Sequence, residues 1–317
     1  MKWTDLRRPV DYIVLFIKGL SMGAADVIPG VSGGTVAFIT GIYNELLHSI
    51  RAVDLEALRL LRQLRIRELL RKINAPFLLT LLLGILTSLL SLARLVNYLL
   101  QHHAILLWSF FFGLILISGP LVTREIKKWN MATAVAFIAG IVTAYTITVL
   151  TPTQSPDHLP FIFLSGVLAI CAMILPGISG AFILLLLGKY QFMVNALLQV
   201  NIPVLVVFAL GCITGIISFS RLLTWILDNY HNFTVALLSG FMLGSLNKIW
   251  PWRHALEYRT TETGERAVIY DVSVMPWDYL SLTGKDPQLI GALIMMALGV
   301  LLVYSIEKTA SLLRTRT

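Results

Sequence analysis

Charged residues are scarce in this chain: only 13% of its 317 residues are Asp, Glu, Lys or Arg, whereas 57% are hydrophobic. The mean hydropathy is +0.80. So few polar groups cannot cover the surface of a water-soluble fold, and the composition therefore predicts a protein that uses lipid as its solvent. The net charge of +8 would suit nucleic acid, but in so apolar a chain basic residues mark cytoplasmic loops, and we expect no nucleic-acid partner.

Cysteines and clustered histidines are also few. The two cysteines, Cys171 and Cys212, lie in apolar runs without metal-type spacing, and the six histidines are scattered. The sequence therefore predicts no disulfide framework and no metal site. We also expect no catalytic residue and no cofactor. Arg7 and Arg8 precede an apolar stretch as in a signal peptide, but no small-residue cleavage site follows, so we expect the stretch to be retained.

Long apolar runs are abundant. Six are long enough to cross a bilayer as helices of about 20 residues: 75–100, 104–123, 131–150, 202–227, 233–250 and 288–306. They predict an all-α integral membrane protein.

Two further apolar segments, 12–47 and 161–198, are interrupted by Pro and Gly. The first contains Pro29-Gly30-Val31-Ser32-Gly33-Gly34, and the second contains Pro176-Gly177-Ile178-Ser179-Gly180. Pro and Gly end a helix, and each remaining arm is short for a full crossing. We predict two re-entrant helical hairpins; two short, complete helices joined by a turn are the alternative.

The distribution of charge predicts the orientation. Residues 51–72 carry seven basic and three acidic side chains in an amphipathic pattern, whereas residues 251–286 carry four basic and six acidic ones. We therefore predict that 51–72 is cytoplasmic, that 251–286 is extracytoplasmic, and that both termini are cytoplasmic.

The chain repeats itself. A shift of 147 residues aligns the two broken segments, a shift of 127 aligns Asn74 with Asn201 and Arg94 with Arg221, and a shift of 159 aligns Gly140 with Gly299. We predict two halves, 1–150 and 151–317, each with one broken hairpin and three spans. Because each half then crosses the membrane an odd number of times, the second half is inverted, as in secondary transporters.

The duplicated breaks predict an anion site, because the first amides of a helix and its positive dipole end attract anions. Tight helix packing is the alternative role of these glycines. The candidate phosphate-binding residues at the breaks are Ser32, Gly33, Gly34, Thr35, Ser179 and Gly180.

Arg94 and Arg221 are the other candidate phosphate ligands. An arginine inside a membrane is costly, and its guanidinium binds phosphate or carboxylate through two hydrogen bonds. Each arginine lies about 28 Å along its predicted helix, so both could instead reach the interface. Asp26 and Glu45 break the repeat, because Met173 and Phe192 stand at the equivalent positions. A single acid of this kind could couple transport to a proton or sodium gradient, or pair with an arginine.

The stretches from Gly23 to Thr35 and from Ile170 to Gly180 resemble the polyprenyl-phosphate transporter (PopT) family, long catalogued only as a domain of unknown function. The resemblance covers essentially the whole chain. It implies a flippase of the bacterial cytoplasmic membrane that returns undecaprenyl phosphate from the outer to the inner leaflet for peptidoglycan and other envelope synthesis. The residues by themselves indicate an anionic head group but not an isoprenoid tail.

Two alternatives remain at this point. One is a transporter of a small soluble anion. The other is an enzyme, because membrane undecaprenyl-pyrophosphate phosphatases also resemble inverted repeats with a Pro-Gly-x-Ser motif. Their motif continues with an arginine and a second serine, whereas this chain has Gly33-Gly34 and Gly180-Ala181 and lacks paired glutamates. A hydrolase needs such groups for charge stabilisation and proton transfer, and we therefore expect no enzyme.

Overall fold

In the computed structural model the chain is described over residues 8–26, 32–153, 155–260 and 266–314, and this part is mostly helical. The helices up to residue 150 are α1 (Pro9–Asp26), α2 (Gly33–Ile39), α3 (Tyr43–Arg51), α4 (Leu55–Arg62), α5 (Ile66–Lys72), α6 (Ala75–His102), α7 (Ala104–Thr123) and α8 (Met131–Val149). The later elements are α9 (Leu159–Ile174), α10 (Gly180–Leu186), α11 (Tyr190–Leu198), α12 (Ile202–Asn229), α13 (His231–Gly244), a 3-10 turn (Ser245–Asn247), β1 (Arg253–Thr260), β2 (Arg266–Ser273), α14 (Pro276–Thr283) and α15 (Leu289–Arg314).

Four helices of the described part are long and apolar enough to span a membrane: α6, α7, α8 and α12. The pair α10 and α11, bent by 107°, adds a fifth if it counts as one broken span. The chain is therefore a mostly helical, multi-pass membrane protein, as predicted.

One predicted span is shorter than expected. The run 233–250 does not form one helix, because α13 ends at Gly244 and the chain continues as a 3-10 turn. The polar residue Asn247 follows and donates its side-chain amide to Thr148 Oγ1 at 2.9 Å. The last predicted span, 288–306, corresponds to α15, which runs from Leu289 to Arg314.

Each broken segment contains two interruptions, where the sequence analysis predicts one. After the first break come the short helices α2 and α10, and each ends at a second glycine turn before α3 or α11. Gly41 and Gly188, which occupy equivalent positions, have φ values of +72° and +64°. These left-handed conformations suit glycine because it has no Cβ to clash with the backbone.

Glycines make the same helix contacts in both halves. A Cβ added to Gly19 of α1 would lie 2.5 Å from the Leu81 carbonyl oxygen of α6. A Cβ added to the equivalent Gly166 of α9 would lie 2.5 Å from the Phe208 carbonyl oxygen of α12. Glycine therefore lets the two backbones approach closely in both helix pairs, as small residues do in membrane bundles.

The last long helix of each half packs on a helix of the other half. Gly113 of α7 lies against the Met296 carbonyl group of α15, and Gly240 of α13 lies against the equivalent Phe137 carbonyl group of α8. The two halves thus exchange their final helices. The matching contacts agree with the predicted repeat, while the inversion of the second half stays a prediction.

The polar stretch 251–286 folds into a hairpin of strands β1 and β2 followed by α14, which the prediction of an all-helical chain did not include. Two tryptophans anchor it: Trp250 Nε1 donates to the Val274 carbonyl oxygen and Trp252 Nε1 donates to the Pro287 carbonyl oxygen, each at 2.8 Å. Buried Trp252 packs with Ile105 of α7 and Tyr279 of α14. The hairpin is thereby held against the helices, next to the cavity described below.

Candidate functional site

The serines of the two breaks cap the short helices that follow them. Ser32 Oγ accepts a hydrogen bond from the Gly34 amide at 3.1 Å, and Ser179 Oγ accepts one from the Phe182 amide at 3.3 Å. A serine at this position satisfies an amide that has no partner within the helix. In the second break Pro176 lies in the turn and Gly177 has a φ of +92°, whereas the break residues Pro29 and Gly30 lie outside the described residues.

The two breaks contact each other directly. The Ser32 hydroxyl donates to the Met173 carbonyl oxygen at 2.9 Å, and the Tyr43 hydroxyl donates to the Ile174 carbonyl oxygen at 3.0 Å. In the opposite sense, the Gly177 amide donates to Thr35 Oγ1 at 2.8 Å. The first hairpin therefore satisfies backbone groups that the end of α9 and the following turn leave without partners within the helix.

The start of α2 is closed by a carboxylate of the same chain. Asp26 Oδ1 accepts a hydrogen bond from the Gly33 amide at 2.7 Å. The Thr35 amide bonds to the Ser32 carbonyl oxygen at 2.9 Å, and Gly34 is capped by Ser32. The amides predicted to attract an anion thus already have acceptors, and the negative charge of Asp26 would oppose a phosphate there.

The start of α10 is less occupied. Its Phe182 amide is capped by Ser179, but the amides of Gly180 and Ala181 have no hydrogen-bond acceptor among the described residues. Met173 stands where the first half has Asp26. No carboxylate from the position equivalent to Asp26 therefore closes the second break.

The remaining predicted residues are Glu45, Arg221 and Arg94. Glu45 is only 5% exposed, and its carboxylate accepts from Asn74 Nδ2 at 2.8 Å. Arg221 is exposed on α12 and forms no ion pair with a described residue. The side chain of Arg94 lies outside the described part, so its predicted role stays a prediction.

A cavity of about 750 Å³ lies beside the second break. Its walls come from α10, from α7, from the residue after the 3-10 turn and from the folded stretch 251–286. The apolar part includes Ile105, Trp108, Phe182 and Leu185, and the polar part includes Lys248, Arg253, His254, Asp271 and Lys285. Ala181, at the open start of α10, also lines it.

One carboxylate lies between two cations in this cavity. Arg253 donates from Nε to Asp271 Oδ2 at 2.6 Å and from Nη2 to Oδ1 at 2.8 Å. Lys248 Nζ lies 3.4 Å from Asp271 Oδ1 and 4.6 Å from the centre of the Phe182 ring. Since Lys285 adds a further positive charge, the cavity is net positive.

The pKa of Asp271 reflects this arrangement. Burial by itself would raise the pKa, but the hydrogen bond from Arg253 and the charges of Lys248 and Arg253 outweigh burial, and the pKa lies below its ordinary value. Asp271 is therefore ionised at neutral pH and acts as the counter-ion of the two cations. An entering phosphate could take over part of that role, because lysine and arginine donate strong hydrogen bonds to phosphate oxygens.

Lys248, Arg253 and Asp271 were not predicted as site residues from the sequence. Arg253 and Asp271 entered only as charges of a loop, and Lys248 was placed inside a predicted span. The available signal was a lysine at the end of an apolar run, which is costly in a membrane protein and marks a candidate functional residue. Their meeting depends on a strand pairing that sets Arg253 opposite Ser273, two residues from Asp271.

The described part is thus that of a multi-pass membrane protein with paired helix breaks and a net-positive, partly apolar cavity. Comparison with known proteins makes this more specific. The chain belongs to the VCA0040-like family, described as undecaprenyl phosphate translocase-like, whose model matches residues 22–267. The predicted family resemblance is thereby confirmed.

Two curated relatives carry the same name. The chain is 44% identical over 303 residues to the polyprenyl-phosphate transporter of Vibrio cholerae, covering 96% of this chain and 98% of that protein. It is 33% identical over 253 residues to the polyprenyl-phosphate transporter of Staphylococcus aureus, covering 74% of this chain and 85% of the relative. No solved structure matches the chain.

Proposed function

We propose that this protein transports a polyprenyl phosphate, of which undecaprenyl phosphate is the expected example, from the outer to the inner leaflet of a bacterial cytoplasmic membrane. The family and the names of both relatives support the substrate. The structural observation that carries the proposal is the cavity in which Lys248 and Arg253 share Asp271 beside the second break.

The cavity suits the two chemical parts of such a lipid. Lys248 and Arg253 can donate to phosphate oxygens, while Trp108, Leu185 and Ile105 offer apolar walls for the adjoining isoprene units. Asp271 neutralises the cations while the cavity is empty and gives up part of its contact as the phosphate enters. This exchange limits the cost of leaving two cations unpaired.

The proposed direction follows from the predicted orientation. With residues 251–286 on the extracytoplasmic side and both termini in the cytoplasm, the cavity faces the outer leaflet and receives the phosphate there. The proposed inverted halves, residues 1–150 and 151–317, would then rock about the contact between the two breaks, exposing the site to each side in turn. Arg94 and Arg221 are proposed as later phosphate contacts, one towards each face.

Coupling to an ion gradient is proposed to involve Asp26 and Glu45. Asp26 bonds to Gly33 through one oxygen, and its other oxygen is a position where a proton or sodium ion could be held. Glu45 is buried beside Asn74 at the start of α6. Protonation of either acid would weaken a contact that holds the first hairpin in place.

One experiment tests the proposal against its rivals. Purified protein in liposomes is given labelled undecaprenyl phosphate, and leaflet exchange and phosphate release are followed together. We expect exchange without release. Release of phosphate would indicate an enzyme, and uptake of small anions without lipid exchange would indicate the small-anion transporter; either result would overturn the proposal.

Arg94→Ala and Arg221→Ala are each expected to abolish exchange in this assay while leaving the fold intact. Wild-type exchange in the double variant would show that the two arginines only reach the interface.

A further inference from the structure

The short helices α4 and α5 expose an unusual number of large apolar side chains. Leu55 is 82% exposed and Leu64, between the helices, is 80% exposed. Four more exposed residues complete what we call the α4–α5 surface: Leu58, Leu61, Ile66 and Leu70. Apolar surface of this extent marks a contact with another phase or partner.

The same surface is strongly basic. Of its acids, Asp54 and Glu56 both pair with Lys72, and Glu68 pairs with Arg65. Four exposed arginines therefore have no acidic partner among the described residues: Arg59, Arg62, Arg67 and Arg71. On α5, Ile66 and Leu70 lie one turn apart, as do Arg67 and Arg71, so apolar and basic stripes run side by side.

The position of the α4–α5 surface indicates that it contacts the membrane. The helix α5 ends at Lys72 and the membrane-spanning helix α6 begins at Ala75. The intervening Asn74 is tied to Glu45 of α3, and Arg51 at the end of α3 lies 3.3 Å from Asp228 at the end of α12. The surface is thus held level with the ends of two membrane-spanning helices, where lipid head groups lie.

We propose that the α4–α5 surface lies in the head-group layer of the membrane and binds anionic phospholipid there. The leucines enter the boundary of the acyl chains, and the four arginines contact the phosphates of anionic lipids. This combination of leucine and arginine is typical of helices that lie in the membrane interface, and each basic residue near an anionic surface adds to the attraction. The transported lipid takes no part in this contact.

A fluorescence experiment on the full chain tests the proposal. In a background with Cys171→Ala and Cys212→Ala, a Leu61→Cys variant is labelled with an environment-sensitive dye. The protein is placed in nanodiscs of phosphatidylcholine with or without phosphatidylglycerol. We expect a blue shift of the emission with phosphatidylglycerol and a weaker one without it. Raising the salt to 1 M should reduce the difference, because the screening length falls from about 10 Å at 0.1 M to about 3 Å.

Two matched variants serve as controls. Dye on a Leu256→Cys variant, at an exposed leucine of β1, should show no dependence on phosphatidylglycerol. The quadruple variant Arg59→Gln, Arg62→Gln, Arg67→Gln, Arg71→Gln should lose the dependence at Leu61 while unfolding at the same temperature as its parent. A solvent-like emission at Leu61 in both lipids, as a surface awaiting a protein partner would give, would overturn the proposal. A blue shift that is the same with and without phosphatidylglycerol, and that persists in the quadruple variant, would also overturn the proposal.

Discussion

The two broken hairpins have similar backbones, but they differ in what surrounds the start of the short helix after each first break. Helices α2 and α10 have seven residues each and begin after a capping serine, yet the residues that follow differ. A Cβ on Gly34 would lie 2.8 Å from the carbonyl oxygens of both Met173 and Ile174, so the first half excludes a side chain there. The equivalent Ala181 lines the cavity. The duplicated motif thus gives both hairpins a similar backbone, while the position after it packs tightly in the first half and lines a cavity in the second.

The two breaks also differ in whether an acidic side chain occupies the start of the short helix. In the first half Asp26 occupies the helix start, which turns the break into a closed contact. In the second half the equivalent residue is Met173, and the nearby charges are Lys248 and Arg253. The two copies therefore differ in charge: the first break holds a carboxylate, and the second lies beside two cations.

Among the changes that compare the two hairpins, the largest expected effect concerns the cavity beside the second break. Lys248→Gln should lower lipid exchange about tenfold or more, because a hydrogen bond to a charged group is worth roughly 1.5–3 kcal/mol and 1.4 kcal/mol is a factor of ten. The loss is measured as the rate of lipid exchange in liposomes. The control Lys127→Gln removes an exposed basic residue that does not line the cavity and should leave exchange unchanged. Equal losses in both variants would refute a specific role for the cavity.

The packing difference between the halves gives the second prediction. Gly34→Ala should destabilise the protein by about 1–3 kcal/mol, since an extra carbon in a tight contact forces the backbone to move. The reciprocal Ala181→Gly should cost only about 0.5–1 kcal/mol, the usual cost of glycine in a helix. The two destabilisations are compared by measuring the unfolding temperature of each variant in detergent. Similar losses for the two changes would mean that the hairpins are packed alike.

The hydrogen bond between the breaks gives the third prediction. Thr35→Val leaves the buried Gly177 amide without its acceptor and should destabilise the protein by roughly 1 kcal/mol or somewhat more. Thr35→Ser keeps the hydroxyl and should recover much of that loss. Thermal unfolding of both variants provides the measurement. A valine variant as stable as the wild type, together with a destabilised serine variant, would show that only the methyl group matters.

The smallest expected effect is a pH dependence at Asp271. Its pKa is lowered in the folded protein, so its contribution to stability is present above the unfolded value of about 3.9 and is lost as the pH falls through the folded pKa. The difference in unfolding temperature between wild type and Asp271→Asn should therefore stay constant from pH 7 to pH 5. It should narrow only below about pH 4. A narrowing already between pH 7 and pH 5 would contradict the lowered pKa.

The sequence predicted those features that depend on local patterns. Apolar runs marked α6, α7, α8 and α12 to within a few residues, and Pro-Gly pairs marked the first break of each hairpin. The two stretches around the first breaks carried the family resemblance, which the comparisons confirmed. Features that depend on tertiary contacts were not predictable: Arg253 meets Asp271 only through strand pairing, and the hydrogen bond from the Gly33 amide to Asp26 has no signal in the sequence. The second breaks at Gly41 and Gly188 were missed because a single glycine in an apolar run is also common within membrane helices.

The exchange of final helices has a consequence for biosynthesis. The glycine face of α7 is covered by α15, the last described helix. During synthesis this face therefore stays uncovered until the residues between the two helices have been translated. At about 5–20 residues per second, this interval lasts on the order of ten seconds or more. A first half released by itself would keep that face open to any other glycine-rich helix. If the two halves were expressed as separate chains, they would have to associate before α7 could pack on α15 and α8 on α13.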